Sequence, residues 1–313
     1  MAVANFNVVF SSKNGEEQPL LHYFETIVIP ALTSGMVKKA DKTQYLLMNV
    51  EVVDVGENEY AIVGNIVKST TLEVFSQLDE DGNLVELDDK YPTAPFSTFS
   101  IYLKNHRMVF VQNQNGSPTL RNFESTVRHI ITRYVKYQNQ ERKQLKMEEY
   151  PEPLIYVVGI PMRESIEESL KQVKKINRLT LRFYPLNGDL DFSGMFNGMT
   201  TELRRMVDSK NGEIVLKTPK SISGITEVLE QAGGTVDPIF NVTYPNNNTG
   251  RISNDEISER MEIDIQGENR NEELTDIAKK GRDMKAITYV SESNNNIYKE
   301  NMAKIIPFVK RKI

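Results

Sequence analysis

The sequence predicts an α+β fold of mixed α/β character, in which a β-rich N-terminal domain is closed by a long amphipathic helix and followed by an alternating α/β C-terminal domain. Apolar, β-branched runs flank short polar turns in the first part of the chain, an amphipathic basic segment covers 118–147, and strand-like and helix-like segments alternate after the EEYPEP stretch. Because single cores stop growing at roughly 250 to 300 residues, the 313-residue chain is expected to form two domains, 1–150 and 151–313.

Two β-hairpins are expected in the N-terminal domain. Strands at 45–55 and 60–67 flank a Gly-Glu-Asn-Glu reversal, which suits a tight turn. The segment 98–113 repeats the arrangement, with Asn105 and His106 at its turn. His106 is therefore interpreted as a turn residue and not as a catalytic base.

Three further segments of the N-terminal domain have weaker patterns. A short strand is expected at 5–12, and apolar residues at helical spacing predict a helix at 19–32. The acidic stretch 77–92 is interpreted as a solvated Asp-Gly turn, because Gly82 and Lys90 do not fit the spacing of a calcium-binding loop.

A basic amphipathic helix is expected to begin after Ser117, which suits the N-cap, with Pro118 at the first helical position. At about 100° per residue, the apolar residues fall on one side of this helix and most of the cations fall opposite. The apolar side comprises Phe123, Val127, Ile130, Ile131, Tyr134 and Tyr137. Two prolines within 148–153 end the helix and mark the predicted domain boundary.

Strands and helices are expected to alternate beyond this boundary. The segments 154–160, 163–176 and 178–186 fit a strand, a helix and a strand, either as a βαβ unit or as an antiparallel pair. The remaining expected elements are a helix at 195–208, a strand at 212–218, a helix at 222–234, a strand at 238–244, a polar loop at 245–255, a strand at 259–267, a helix at 271–281 and a strand at 284–291.

The composition excludes several kinds of chemistry. The chain has no Cys and three widely separated His, which excludes disulfides, thiolate catalysis and a helix-borne HExxH metal site. No GxxxxGK[ST], GxGxxG or GxSxG motif occurs, so neither a nucleotide-binding loop nor a cofactor is expected. The first residues do not resemble a signal peptide and no apolar stretch has the length of a membrane span, so a cytoplasmic protein is expected.

Positive charge is concentrated on the basic helix. Residues 121–146 carry seven Lys and Arg against two Glu, a net +5, in a chain of net charge −5, so the other 287 residues sum to −10. A localised patch of this kind predicts contact with a polyanion. The candidate DNA-binding residues are Arg121, Arg128, Arg133, Lys136, Arg142, Lys143, Lys174, Lys175, Arg178, Lys310, Arg311 and Lys312.

Other interpretations of the same residues stay open. The cations could form a solvated helix face, or they could bind a protein or lipid surface. An enzymatic alternative is a divergent metal-dependent nuclease that uses Asp189, Asp191 and Asp208, although no Lys follows Glu213 at the nuclease spacing. A third alternative is a non-enzymatic protein-interaction module of a defence system, whose helix faces an acidic partner or the opposite protomer.

The order of elements resembles a known family. The segments SGMVKKADKTQYLLMNVEVVD, PFSTFSIYLKNHRMVFVQN and SPTLRNFESTVRHII combine paired strands, a short polar turn and a Pro-preceded amphipathic helix, and KINRLTLRFYP fits a strand that enters a C-terminal domain. Over residues 40–245 this order is similar to that of the RexA-like phage-exclusion and abortive-infection proteins. No catalytic motif accompanies the resemblance.

The resemblance implies a homodimer that binds double-stranded DNA with little sequence preference and acts against a superinfecting phage, with a membrane-protein partner. Together with the charge asymmetry, it predicts a non-enzymatic, sequence-independent double-stranded DNA-binding protein of anti-phage defence, acting in abortive infection or superinfection exclusion. Neither a metal site nor a small-molecule cofactor is part of this prediction.

Overall fold

Two antiparallel β-sheets with helices packed against them form a mixed α+β fold, which confirms the predicted fold class. The computed structural model describes residues 1–78, 80–187, 202–204, 206–258 and 270–310. Within these residues, buried apolar side chains gather on both faces of the first sheet and on one face of the second.

The first sheet has nine strands within the described part of the chain. These strands are β1 (Ala2–Ser11), β2 (Glu17–Pro19), β3 (Lys38–Ala40), β4 (Thr43–Gly56), β5 (Glu59–Leu78), β6 (Leu84–Thr93), β7 (Phe96–Tyr102), β8 (Arg107–Gln112) and β9 (Glu152–Gly159). Their order is β2-β1-β8-β7-β5-β4-β3, with β9 beside β1 and β6 beside β5. The chain's first strand therefore lies inside the sheet, with neighbours on both of its edges.

Helices connect and cover the strands. They are α1 (Ile29–Leu32), α2 (Leu120–Gln144), α3 (Arg163–Lys171), α4 (Ile222–Ala232), α5 (Asn254–Ile257), α6 (Arg270–Arg282), α7 (Lys285–Thr288) and α8 (Glu292–Ile305). A 3-10 turn (Leu20–Tyr23) and a π turn (Phe24–Val28) lead into α1, so the segment expected to be helical at 19–32 is helical over most of its length.

The second sheet comprises β10 (Lys175–Phe183), β11 (Gly212–Lys217), β12 (Val236–Thr243) and β13 (Thr249–Ile252), in the order β11-β10-β12-β13. One face is apolar and packs against α3 and α4. The side chains of alternate residues on β10 point to the opposite face, where Arg178 and Arg182 are exposed.

Helix α2 covers one face of the first sheet. Its Phe123 ring is fully buried and lies with ring centroids 4.9 Å from Phe99, 5.8 Å from Phe110 and 6.1 Å from Phe6. Helix α6 covers the other face, where the Tyr102 hydroxyl donates a hydrogen bond to a carbonyl of the helix. The sheet is thus buried between two helical layers, and α2 and α6 lie on opposite sides of it.

Both predicted hairpins are confirmed. Strands β4 and β5 meet at a turn in which Glu57 and Asn58 have positive φ, as tight reversals of this kind require. Strands β7 and β8 meet at a turn where His106 has a φ of 57°.

The start of α2 differs from the prediction. The N-cap is Thr119, not Ser117, and Pro118 precedes the helix. The reason is a reciprocal pair of hydrogen bonds, in which the Thr119 hydroxyl accepts from the Asn122 N–H at 3.2 Å and the Asn122 side chain accepts from the Thr119 N–H at 2.9 Å. The Ser117 hydroxyl instead accepts from the backbone of Gln114.

Several short elements were also predicted wrongly. The Asp-Gly turn expected in the acidic stretch 77–92 is present at Gly82, but most of the stretch is strand, because β5 and β6 pair on either side of that turn and form a long ribbon. The polar loop expected at 245–255 contains β13 and α5, and the expected strand at 284–291 contains α7 instead. Short apolar runs have the same pattern in strands and buried helices, so periodicity cannot separate them.

Other expected elements lie partly or wholly outside the described residues. These are the strand at 259–267 and most of the helix at 195–208. The expected strand at 212–218 and the helix at 271–281 correspond to β11 and α6.

The predicted boundary near residue 150 does not coincide with a division between the two sheets. Strand β9 pairs with β1 over eight residue pairs in the first sheet, whereas β10 belongs to the second sheet. The expected βαβ unit is therefore absent from residues 152–183, and α3 connects two different sheets. Helices α6 and α8 also return to the first sheet, where they pack against its two faces.

Buried polar side chains connect the two sheets beside the middle of β1. The Asn5 amide donates to the Gly233 carbonyl at 3.2 Å, and the Arg107 guanidinium donates to the same oxygen at 2.7 Å. Two residues further along β1, on the same face of the strand as Asn5, the Asn7 side chain accepts a hydrogen bond from the Asn187 N–H at 3.2 Å. Each hydrogen bond is buried, so losing one partner would leave an unsatisfied polar group at a cost of about 1–3 kcal/mol.

The buried ring of His106 makes the stability of the fold depend on pH. Its side chain is fully buried, its ring nitrogens have no hydrogen-bond partner among the described residues, and burial lowers the pKa of His106 to about 3. The unfolded chain takes up this proton near pH 6.5, whereas the folded chain does so only near pH 3. The stability contributed by the neutral ring is therefore complete above pH 6.5 and is lost as pH falls toward 3.

We expect His106→Asn, which keeps a residue that tolerates positive φ, to unfold with a weaker pH dependence than the wild type between pH 7 and pH 4. The difference should reach several kcal/mol, at about 1.4 kcal/mol per unit of pKa change. Urea unfolding at a series of pH values measures it, with His22→Asn as the control because His22 is exposed. Identical pH dependence in the wild type and His106→Asn would contradict the assignment.

Candidate functional site

The exposed face of α2 follows from the packing of its opposite face. Phe123, Val127, Ile130, Ile131 and Val135 are buried against the first sheet. At about 100° per residue, this apolar stripe turns the intervening positions toward solvent. The helix is therefore amphipathic as predicted, with its cationic side facing water. The expected place of Tyr137 on the buried side is wrong, because this residue lies at the edge of the apolar stripe and is 55% exposed.

Four of the predicted cations on α2 are exposed and have neither a hydrogen bond nor an ion pair within the described structure. They are Arg121, Arg133, Lys136 and Lys143, and we call them the free α2 cations. The distance along the helix from Arg121 to Lys143 is 22 residues, or about 33 Å. This set is available to a solvent-borne ligand.

Arg128 is different, because its guanidinium is held by the protein. Its Nε and Nη2 donate to the Ile155 carbonyl of β9 at 3.2 and 2.7 Å, and Nη2 also forms an ion pair with Glu124. The guanidinium lies 5.7 Å from the centroid of the Tyr156 ring. The predicted phosphate contact at Arg128 therefore competes with a structural role that ties α2 to β9.

Arg142 also has partners in the fold. It donates to the Glu148 carbonyl, and its guanidinium lies 4.1 Å from the centroid of the Tyr150 ring. These contacts hold the chain where it leaves α2 for β9. Arg142 thus supports the helix end, whereas Lys143 beside it stays exposed.

The remaining predicted cations do not form one surface with α2. The Lys174 ammonium donates to Asn247 at 2.8 Å near the start of β10, and Lys175 is exposed beside it. Lys310 forms an ion pair with both carboxylate oxygens of Glu51 at 2.8 Å. Arg311 and Lys312 lie outside the described residues.

Arg178 belongs to a cationic row that the sequence did not reveal. On the open face of the second sheet, it lies directly opposite Lys217 on β11 and Asn241 on β12, and Asn241 lies opposite Arg251 on β13. Strand spacing of about 4.8 Å puts the outer residues of this row about 14 Å apart. None of its three cations has an ion pair within the described residues, and like charges opposed across strands are destabilising unless an anion is present.

Lys38 is a further cation that the sequence analysis did not include in the candidate site. It donates to the Ser125 hydroxyl on α2, and burial followed by the charge of Arg128 lowers the pKa of Lys38. His129 lies in the same field, and its pKa is lowered by burial first and then by Arg133 and Lys38. For both residues burial is the larger cause, and the neighbouring cations contribute the smaller part of the shift.

The described residues do not bring together the acidic side chains that the nuclease alternative requires. Asp189 and Asp191 lie outside them, and Asp208 is described in a turn with φ of 50°. Among the described residues, no group of three or more His, Asp or Glu side chains is arranged to hold a metal ion. The same part of the chain contains no helix with the length and apolarity of a membrane span.

Comparison with known proteins gave no matching family model and no curated sequence with significant similarity. The class of protein is therefore defined by the fold and by the site alone. It is a mixed α+β protein whose long helix presents unpaired cations to solvent.

The ion pair between Arg128 and Glu124 leads to a prediction for stability. Burial raises the pKa of Glu124, and the charge of Arg128 opposes this rise. We expect Arg128→Ala to raise the pKa of Glu124 further, so the charged carboxylate becomes costly in the folded state. Below pH 4 the loss of stability should be limited to the lost hydrogen bonds from Arg128 to Ile155, and it should grow by about 1–2 kcal/mol more as pH rises to 7.

Chemical denaturation of Arg128→Ala across this pH range measures the effect. The double variant Arg128→Ala with Glu124→Gln is the matched control, because it lacks the titrating carboxyl group. A destabilisation that is independent of pH in the single variant would show that Glu124 does not respond to the loss of Arg128.

Proposed function

We propose that this protein binds double-stranded DNA without sequence preference, through the free α2 cations. The observation that carries this proposal is the set of four unpaired cations on one solvent-facing helix of an acidic protein. Unpaired surface cations cost little in water but bind polyanions strongly, because each phosphate contact releases condensed counterions.

The length of the cationic set favours a duplex. The free α2 cations extend over about 33 Å of a rigid helix, which is close to the 34–36 Å of one duplex turn. Duplex DNA carries one charge per about 1.7 Å of axis, so each cation can meet a phosphate without a special register. A polyanion of regular, dense charge matches this surface.

The polar side chains near the cations favour backbone contact over base reading. Asn122 is used in the N-cap of α2, and Asn139 is hydrogen-bonded to both the N–H and the carbonyl of Tyr150 at 2.7 and 2.9 Å. Amides that are already satisfied by the protein are not available to base edges. Sequence-independent binding follows from this arrangement.

A role in anti-phage defence is the biological context that we propose, and it rests on the resemblance to RexA-like proteins. In that context the protein acts in the cytoplasm as a homodimer, together with a membrane-protein partner.

Salt-dependent binding to duplex DNA tests the proposal. With four phosphate contacts, we expect the logarithm of the binding constant to fall against the logarithm of salt concentration with a slope of about −3 to −4. Arg121→Glu combined with Lys136→Glu should weaken binding to all sequences alike and should reduce the slope by about 2. Fluorescence anisotropy on duplexes of unrelated sequence measures both quantities.

Lys279→Glu is the matched control for charge reversal. Lys279 is exposed on α6, on the side of the first sheet away from α2. Its reversal changes the net charge of the protein by the same amount per site but leaves the proposed surface intact. If Lys279→Glu weakens binding as much per charge as the α2 reversals, the proposed site is wrong.

His129 gives a site-specific readout of the same binding event. Phosphates beside α2 favour the imidazolium, so we expect duplex DNA to raise the pKa of His129, which burial first and then nearby cations lower in the free protein. With three His in the chain, NMR titration of the ring protons resolves each residue. His106 is the internal control, because its buried ring stays neutral over the titrated range. An unchanged pKa for His129 in the DNA complex would place the DNA elsewhere.

A further inference from the structure

The open face of the second sheet carries two rows of charged side chains that differ in composition. In one row, Arg178 on β10 lies opposite Lys217 on β11 and Asn241 on β12. Asn241 in turn lies opposite Arg251 on β13, so the row has three cations and no acid. We call these four residues the cationic row, and all four are exposed.

The other row shows how the same sheet neutralises an arginine. Arg182, four residues after Arg178 on the same face of β10, lies opposite Glu213 and Asp237. Its Nε donates to Glu213 at 2.7 Å. Burial raises the pKa of Asp237, and Arg182 opposes this rise more strongly than Arg251 does, so the charge of Asp237 acts mainly on Arg182. Within the described part of the chain, the cationic row has no carboxylate in ion-pair contact.

The missing counter-charge has an energetic consequence. Like charges directly opposite each other across neighbouring strands destabilise a sheet, and Arg178 is in this position relative to Lys217. An anion bound across the row removes the repulsion and accepts charge-assisted hydrogen bonds from the guanidinium groups. The cationic row therefore has the character of a binding site for an external anion.

The cationic row borders a groove in the open face of the sheet. The groove has a volume of about 670 Å³, and its lining includes Arg178, Arg182 and Arg251 together with Thr180 and Ile239. Thr180 and Ile239 are only 8% and 6% exposed. Long arginine stems cover neighbouring surface while their charged ends stay in water, which accounts for this shelter. A groove of this volume is typical of sites that bind small molecules.

The shape of this site differs from that of the surface proposed to bind DNA. The free α2 cations extend over about 33 Å along a convex helix. The outer residues of the cationic row are only about 14 Å apart, across four strands. A rigid duplex matches the long helix, whereas a short groove with three cations matches the adjacent phosphates of a small molecule.

We propose that this groove binds a free ligand with two or three linked phosphates, of the class of the nucleoside di- and triphosphates. The phosphates lie across the cationic row, with Arg178 between Lys217 and Arg251. The uncharged part of the ligand lies over Thr180 and Ile239, within the about 13 Å that separate the two charged rows along β10. Side chains hold the phosphates here, and not the N–H groups of a glycine-rich loop. No residue of α2 takes part, so the inference does not rest on the proposed function.

Binding of pyrophosphate and ATP tests the site. We expect the wild type to bind both in the presence of a chelator, and Arg178→Ala with Arg251→Ala to weaken both by about tenfold or more, because two of the three cations are lost. Isothermal titration calorimetry measures the affinities. Lys171→Ala with Lys279→Ala is the matched control, because both lysines are exposed on helices away from the groove, and it should bind like the wild type.

Comparison of ATP with tripolyphosphate tests the place of the uncharged part. Both ligands have three linked phosphates, and tripolyphosphate has the greater charge. We expect ATP to bind about fivefold more tightly, because its nucleoside covers the floor of the groove at Thr180 and Ile239. Equal or weaker binding of ATP would overturn this part of the proposal.

Thermal unfolding separates a binding role from a structural one. A ligand that binds only the folded state stabilises it, so pyrophosphate should raise the Tm of the wild type and of the matched control but not that of Arg178→Ala with Arg251→Ala. Without ligand, the latter variant should be at least as stable as the wild type, because the cross-strand repulsion is relieved. A lower Tm without ligand would show that the two arginines serve the fold, and would contradict the proposal.

Duplex DNA distinguishes a free ligand from a nucleic-acid backbone as the source of the phosphates. We expect Arg178→Ala with Arg251→Ala to keep the duplex affinity of the wild type, and Arg121→Glu with Lys136→Glu to keep its affinity for pyrophosphate. A wild type that binds neither pyrophosphate nor ATP, or a groove variant that loses affinity only for the duplex, overturns the proposed groove site. Binding of pyrophosphate without any binding of duplex upholds the groove site and overturns the proposed function.

Discussion

The packing of Phe123 fixes the rotation of α2, and the candidate site depends on that rotation. Its ring is enclosed by Phe6, Phe99 and Phe110, which come from β1, β7 and β8. Aromatic side chains of this size cannot be turned out of a close-packed core without a cost of about 3–5 kcal/mol. Because this ring cannot move, the cations on the other side of the helix are held in water.

Cations of the same kind have two different roles on this helix. Arg128 and Arg142 use planar guanidinium groups to hold backbone carbonyls and aromatic rings near β9, whereas Lys136 and Lys143 make no such contacts. Arginine suits the first role because its donors are fixed in one plane. Arg121 and Arg133 share the second role with the two lysines, because they are exposed and have no partner within the described structure. The helix therefore separates a structural edge from a surface that is free to bind.

Local patterns in the sequence were sufficient to predict many of the strands and helices but not how these elements pack together. Turn residues and apolar periodicity predicted both hairpins and the amphipathic character of α2. The partner of Arg128 is a carbonyl 27 residues away, and the row of Lys217, Arg178 and Arg251 exists only through the register of three strand pairings. Contacts of this kind depend on long-range pairing, which no short window of sequence contains. The same reason explains why the pairing of β9 with β1 was not predicted.

The interior position of β1 has a consequence for synthesis of the protein. Strand β1 pairs with β8 and β9, which are more than 100 residues later, and α6 and α8, which follow both of them in sequence, cover the sheet. Pairing over such sequence distances is slow to form. A polypeptide that terminates before β9 thus exposes apolar strands to chaperones and proteases, and the helix surface stands on a complete sheet only after β9 and the later helices have been translated.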